Sequence, residues 1–188
     1  CKIMAGTGAN CTEEAIKLTR RAKAMGADSC LQVTPYYNKP TQEGLYRHFS
    51  KIADDCGLPS VLYNVPGRTG VAIAADTIAR LASNPNISEI LNLCDITVMS
   101  GDDSLTVPMM AVGAKGVISV ASNIYPAELK KMVDFCAAGN FAEGLKLHRR
   151  FYSLFKHLFI ESNPIPVKAA MAMMGLIGEE YRLPLCPI

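Results

Sequence analysis

Short runs of apolar and β-branched residues recur along the chain, each followed by a longer stretch whose apolar positions return every three or four residues. The runs predict strands over Lys2–Thr7, Ser29–Thr34, Ser60–Val65, Ile96–Ser100 and Gly116–Val120. A helix is predicted from about Thr12, where Thr12-Glu13-Glu14 makes an N-terminus. Ala15, Ile16, Leu18, Ala22 and Met25 form its apolar face, and Gly26 closes it. Further helices are predicted over roughly Thr41–Cys56, Ala74–Ala82, Pro126–Ala138, Phe141–Phe159 and Pro164–Ile177, with another after Asp103 to about Val112. Pro35 to Pro40, Pro66 to Gly70 and Gly101 to Asp103 read as loops after strands. The rhythm breaks once: Asn84-Pro85-Asn86-Ile87 runs straight into a short helical stretch, Ser88–Leu93, where alternation predicts a strand.

Strand–helix alternation of this kind builds parallel sheets. Five strands with one doubled interval fit part of a (β/α)8 barrel, with residues 1–125 as a partial barrel and 126–188 as its last helix and a C-terminal helical region. A doubly wound open sheet is the alternative, but no GxGxxG or GxxxxGK[ST] motif follows any strand, and Gly6 and Gly8 read as close packing at a strand end. At 188 residues, 49% of them hydrophobic, the chain has material for a well-filled core. Its net charge of +2 is spread along the sequence, which gives no basic stripe for nucleic acid or an anionic membrane. No apolar run approaches the ~20 residues of a membrane span, so the expectation is a soluble, cytoplasmic protein. Seven cysteines without a CxxC pair favour reduced thiols, with Cys30 and Cys136 as core residues.

In parallel α/β proteins the C-terminal ends of strands carry the chemistry. Those ends hold Thr7, Asn10, Thr34, Tyr36, Tyr37, Tyr63, Asn64, Arg68, Ser100, Gly101, Asp102 and Ser119. Three of the seven tyrosines and one arginine in a loop pinned by Pro66, Gly67 and Gly70 suggest proton shuttling beside an organic anion. Each residue also has an ordinary reading: Tyr63 as a core tyrosine, Arg68 as a surface ion pair, and Asp102 as a helix N-cap rather than a metal ligand. His48, His148 and His157 fall within helices without ligand spacing, and neither Lys115 nor Lys168 lies at a strand end.

Six segments together resemble one family. They are Gly6 to Asn10 (GTGAN), Thr34 to Pro40 (TPYYNKP), Tyr63 to Gly70 (YNVPGRTG), Ser100 to Asp103 (SGDD), Gly116 to Val120 (GVISV) and Asn163 to Lys168 (NPIPVK). In order and spacing they are similar to the 4-hydroxy-tetrahydrodipicolinate synthases (dihydrodipicolinate synthases), (β/α)8 barrels of the class I, pyruvate-dependent aldolase superfamily. The resemblance implies a lyase that condenses pyruvate with L-aspartate 4-semialdehyde through a lysine Schiff base, in lysine and diaminopimelate biosynthesis. It implies Tyr63 as a proton relay, Tyr37 as a tyrosine inserted into a neighbouring subunit, Arg68 as the clamp on the aldehyde's carboxylate, and main chain at Gly101 and Ile118 lining a pyruvate pocket. Asn10, Glu14 and Tyr36 match positions that bind feedback lysine in regulated members. The resemblance also implies a homodimer or homotetramer, with no metal or organic cofactor and no nucleic-acid or membrane partner.

The sequence departs from the family at three places. The strand that carries the Schiff-base lysine is expected after Ile87, yet Ser88 follows directly, so the chain is read as part of a longer enzyme with Ile87 and Ser88 not adjoining. The first two βα units and the final helix are also expected elsewhere in that enzyme. Two other activities fit part of this pattern: a related aldolase acting on a sugar acid, or a non-catalytic paralogue that binds a small acid. Arg68 and Tyr37 argue against the first; the missing lysine at face value favours the second.

Overall fold

The computed structural model describes residues 2–84, 87 and 97–187. These fall into two compact units, residues 1–97 and 98–188. The predicted helix over Ser88–Leu93 and the junction between Ile87 and Ser88 lie outside the described residues. The expected boundary after residue 125 lies inside the second unit.

In the first unit, β1 (Met4–Gly6), α1 (Thr12–Ala24), β2 (Ser29–Val33), α2 (Gln42–Cys56), β3 (Ser60–Tyr63), α3 (Pro66–Thr69) and α4 (Ala75–Leu81) follow in order. The strands form a parallel sheet ordered β1-β2-β3, in register Met4 with Ser29, Cys30 with Ser60 and Val33 with Tyr63. Helix α2 starts at Thr41, whose hydroxyl accepts from the Gly44 N–H. It buries Leu45, His48, Phe49, Ile52, Ala53 and Cys56, a stripe at helical spacing. Leu45, Phe49 and Ala53 join Ile73, Leu81 and Ile87 in one apolar cluster.

Helix α1 departs from its predicted face. It buries Ala15, Ile16 and Thr19, while Leu18 and Met25 are exposed. Thr19 is the reason: its hydroxyl donates to the Ala15 carbonyl and meets Thr7 Oγ1 at 2.8 Å. The Gln32 amide then donates to both hydroxyls, at 2.8 and 2.9 Å. A buried polar knot therefore turns α1 onto the sheet where an apolar stripe was expected. Close backbone approach at the end of β1 requires Gly8, because a Cβ there would lie 2.4 Å from Val33 N; at Gly6 it would meet nothing.

The second unit comprises β4 (Met99–Ser100), a 3-10 turn (Asp103–Leu105), α5 (Thr106–Ala111), β5 (Gly116–Val117), a second 3-10 turn (Ala121–Asn123), α6 (Pro126–Ala137), α7 (Phe141–His157) and α8 (Ile165–Met173). β4 and β5 are parallel, Met99 beside Gly116 and Ser100 beside Val117. Among the described residues the ladder holds only these two pairs, so β5 is shorter than predicted and residues 97 and 98 of the other predicted strand lie outside β4. Helices α6 and α7 pack together over Leu129, Met132, Cys136, Phe151 and Phe155. Cys30, Cys56 and Cys136 are buried free thiols, and burial raises the pKa of the latter two.

His48 is 6% exposed, with Nδ1 2.9 Å from Thr12 Oγ1 and Nε2 buried without a partner. Burial disfavours the cation and lowers its pKa to about 4. The unfolded chain titrates this imidazole near 6.5, so between those values only the unfolded state takes up the proton. Stability is therefore lost as pH falls from about 6.5 toward 4. Thermal unfolding at pH 7.5 and 4.5 should show a larger drop in Tm for the unchanged chain than for His48→Gln, by about 5 °C. Equal drops would refute this.

Candidate active site

Parallel strands deliver their C-terminal ends to one edge of a sheet, so in the first unit the loops after β1, β2 and β3 lie side by side. Tyr63 ends β3, half-buried, and its phenol makes no hydrogen bond among the described residues. Its carbonyl is held twice, by the Thr34 N–H and by Thr34 Oγ1, each at 3.0 Å. Thr34 thus completes the β2–β3 ladder one residue beyond the strand.

The segment after β3 was expected as a loop, but it closes into the one-turn helix α3 with Pro66 at its start. The Arg68 and Thr69 N–H groups donate to the Val65 carbonyl, and Thr69 Oγ1 donates to the carbonyls of Val65 and Val71. Asn64 Oδ1 accepts from the Ile73 N–H, binding the far side of the turn. Arg68 is thereby carried on a fixed backbone, exposed, and its guanidinium has no ion pair among the described residues.

The loop after β2 is clamped from two sides. Asn10 Nδ2 donates to the Tyr36 carbonyl at 3.3 Å, and Asn38 Nδ2 donates to the Asn10 carbonyl at 2.9 Å. Between these two bonds stands Tyr37, with φ of 71° and 91% exposed. Lys39 is also left-handed at φ 43°, and its stem lies against Gly70: a Cβ at Gly70 would come within 3.0 Å of Lys39 Cε, and Gly70 itself has φ of 75°. The Tyr36–Lys39 loop and the Arg68 turn therefore touch. Glu14 is exposed on the first turn of α1, and no hydrogen bond joins it to Asn10 or Tyr36.

In the second unit, Gly101 and Ile118 follow adjacent strand ends, and the Ile118 N–H donates to the Ser100 carbonyl at 2.8 Å. Neither residue's carbonyl has a hydrogen-bond partner among the described residues. Asp102 accepts from Ser104 N and Ser104 Oγ, both at 2.7 Å, and so acts as the expected N-cap. Ser100 Oγ donates to the Asp102 carbonyl, and Ser119 Oγ accepts from the Ser122 N–H. No cluster of three or more His, Cys, Asp or Glu suited to a metal occurs among the described residues.

Several strand-end residues thus serve the fold: Thr7 joins the knot on α1, while Asn64, Ser100 and Ser119 fasten turns. Sequence reasoning passed over Asn38 and Lys39. Their roles depend on a bond to Asn10 and on the left-handed backbone at Tyr37 and Lys39, which tyrosine and lysine do not signal in a sequence.

A profile of the Dihydrodipicolinate synthetase family matches residues 1–188. The 4-hydroxy-tetrahydrodipicolinate synthase of Hydrogenobaculum sp. (strain Y04AAS1) is 54% identical over 199 aligned positions, which cover 98% of this chain and 69% of that protein. Since 199 positions exceed the chain's 188 residues, the relative carries interior residues that have no counterpart here. The crystal structure of dihydrodipicolinate synthase from Aquifex aeolicus superposes with a TM-score of 0.93 at 49% identity, covering all of this chain and 69% of that one. The chloride-inhibited enzyme from Acinetobacter baumannii complexed with pyruvate does so with a TM-score of 0.95 at 48% identity, again over all of this chain and 69% of its own. The fold class is accordingly the (β/α)8 barrel with C-terminal helices. By sequence and structure alike, the chain belongs to the dihydrodipicolinate synthetase family.

Proposed function

We propose that this chain carries the proton relay and carboxylate clamp of a 4-hydroxy-tetrahydrodipicolinate synthase, the lyase of lysine biosynthesis that joins pyruvate to aspartate semialdehyde. The observation behind the residue roles is the contact between Lys39 and Gly70, which sets the Tyr36–Tyr37 loop against the turn that bears Arg68 beside Tyr63. Phenols and a guanidinium without competing partners at one strand edge suit an acid whose neighbouring carbon gains and loses protons.

In this reading a lysine amine of the full-length enzyme, on the segment expected after Ile87, adds to the pyruvate ketone and expels water to give an imine. Loss of a methyl proton gives the enamine, whose carbon forms a bond to the aldehyde carbon. Arg68 grips the aldehyde substrate's carboxylate in a fixed orientation, and main chain at Gly101 and Ile118 holds pyruvate. Tyr63 passes protons between substrate and solvent, aided by Tyr37 from a second copy in a homodimer or homotetramer. The substrate's amine then closes the ring on the imine carbon and releases the lysine. The same geometry supports an effector role for Asn10 and Tyr36, which are already joined by a hydrogen bond, with Glu14 as the carboxylate for an amino-acid ammonium. Among the described residues no helix is long and apolar enough to cross a membrane, and a cytoplasmic site of action suits this pathway.

Borohydride added with pyruvate to the full-length protein should trap a covalent adduct, read as a mass increase; no increase would remove the imine mechanism. Arg68→Ala should raise KM for aspartate semialdehyde by about tenfold or more and leave pyruvate trapping intact. Tyr63→Phe should lower kcat by about a hundredfold while borohydride still labels the protein, because general acid–base groups contribute on this scale. Unchanged kcat would dismiss Tyr63 as the relay.

A further inference from the structure

Asp103 is 1% exposed, and among the described residues no basic side chain is bonded to it. It comes directly after Asp102, yet its role differs, since Asp102 caps its own turn whereas Asp103 reaches across to the end of the next strand. Its Oδ2 accepts from the Val120 and Ala121 N–H groups, each at 3.0 Å, while Oδ1 is buried without a partner. Burying such a group costs free energy that an apolar side chain would avoid, so its retention needs a reason. The two N–H groups lie just beyond Ile118, and Asp103 itself lies just beyond Gly101. Only two residue pairs join β4 to β5, and past them one backbone bond, from the Ile118 N–H to the Ser100 carbonyl, links the two chains before the loops separate. Asp103 adds a second tie beyond that bond, from the loop after Gly101 to the main chain after Ile118.

We propose that Asp103 is the positioning residue that sets the spacing between the Gly101 and Ile118 main chains, and through them the grip on a small 2-oxo acid. The proposal rests on the reading of that main chain as the pyruvate wall. It separates two substrates that meet the protein at different places: pyruvate at this wall, the aldehyde at Arg68. A merely structural carboxyl would affect both alike.

The test uses full-length protein with Asp103→Ala, Asp103→Glu and Asp103→Asn, measuring Tm, KM for each substrate, and the pyruvate concentration for half-maximal borohydride labelling. Asp103→Ala should raise KM for pyruvate and the labelling midpoint about tenfold and leave KM for the aldehyde within about twofold. Asp103→Glu, which keeps the carboxyl but lengthens its arm, should shift the same two quantities in the same direction, and it carries the test if the alanine variant does not fold. Asp103→Asn keeps an oxygen for both N–H groups and should stay within about threefold of the unchanged protein. Folded Ala or Glu variants with an unaltered labelling midpoint, or a parallel rise in both KM values, would overturn the proposal. Absence of labelling in the unchanged protein would instead overturn the imine reading, and this proposal with it.

Discussion

One carbonyl holds the first unit's functional edge in place. Tyr63 C=O accepts from both the N–H and the hydroxyl of Thr34, which carries the β2–β3 ladder past the last strand residue. In a parallel pair this fixes where two chains part, and a slip of one residue would turn Tyr63 to the opposite face. Because the chains part there, the loops at 35–40 and 64–70 leave the sheet together, and Lys39 can lie across Gly70. The contact between the tyrosine loop and the arginine turn is thus a consequence of register.

That closeness has a conformational cost. Tyr37 and Lys39 are both non-glycine residues at positive φ, which together cost on the order of a few kcal/mol. Such backbone persists only where its surroundings over-determine it, and here they do. Asn10 donates to the Tyr36 carbonyl and Asn38 to the Asn10 carbonyl on either side of Tyr37, and the Asn38 N–H also donates to the Tyr36 carbonyl. The result is a phenol held out from the surface on a braced loop. A braced loop loses less conformational entropy on meeting a partner than a flexible one would.

How far the sequence revealed this depended on the kind of signal. Strand–helix alternation located all five strands among the described residues, and the YNVPGRTG and TPYYNKP segments pointed to loops that do meet. Periodicity failed at α1, where polar Thr19 takes a core position because Thr7 and Gln32 satisfy it across a sequence separation of 12 and 13 residues. No local pattern encodes that pairing. The same limit applied to Thr34, whose hydroxyl looked available for chemistry but serves the ladder, and to Pro66–Thr69, where a proline read as a loop residue begins a helical turn.

The two units solve one problem by different means, and the difference comes from ladder length. In the first, β2 and β3 share four paired positions, and the Thr34 N–H and hydroxyl both extend the ladder past its end. In the second, β4 and β5 share only two, extended by the Ile118 N–H to the Ser100 carbonyl, and more side chains are added: Ser100 and Asp102 tighten the first turn, Ser119 and Ser122 the second, and Asp103 joins them. A backbone ladder tolerates many side chains, whereas a bracket built from one carboxyl requires that residue and its length. In the second unit the spacing of the two turns depends on one buried carboxyl as well as on backbone.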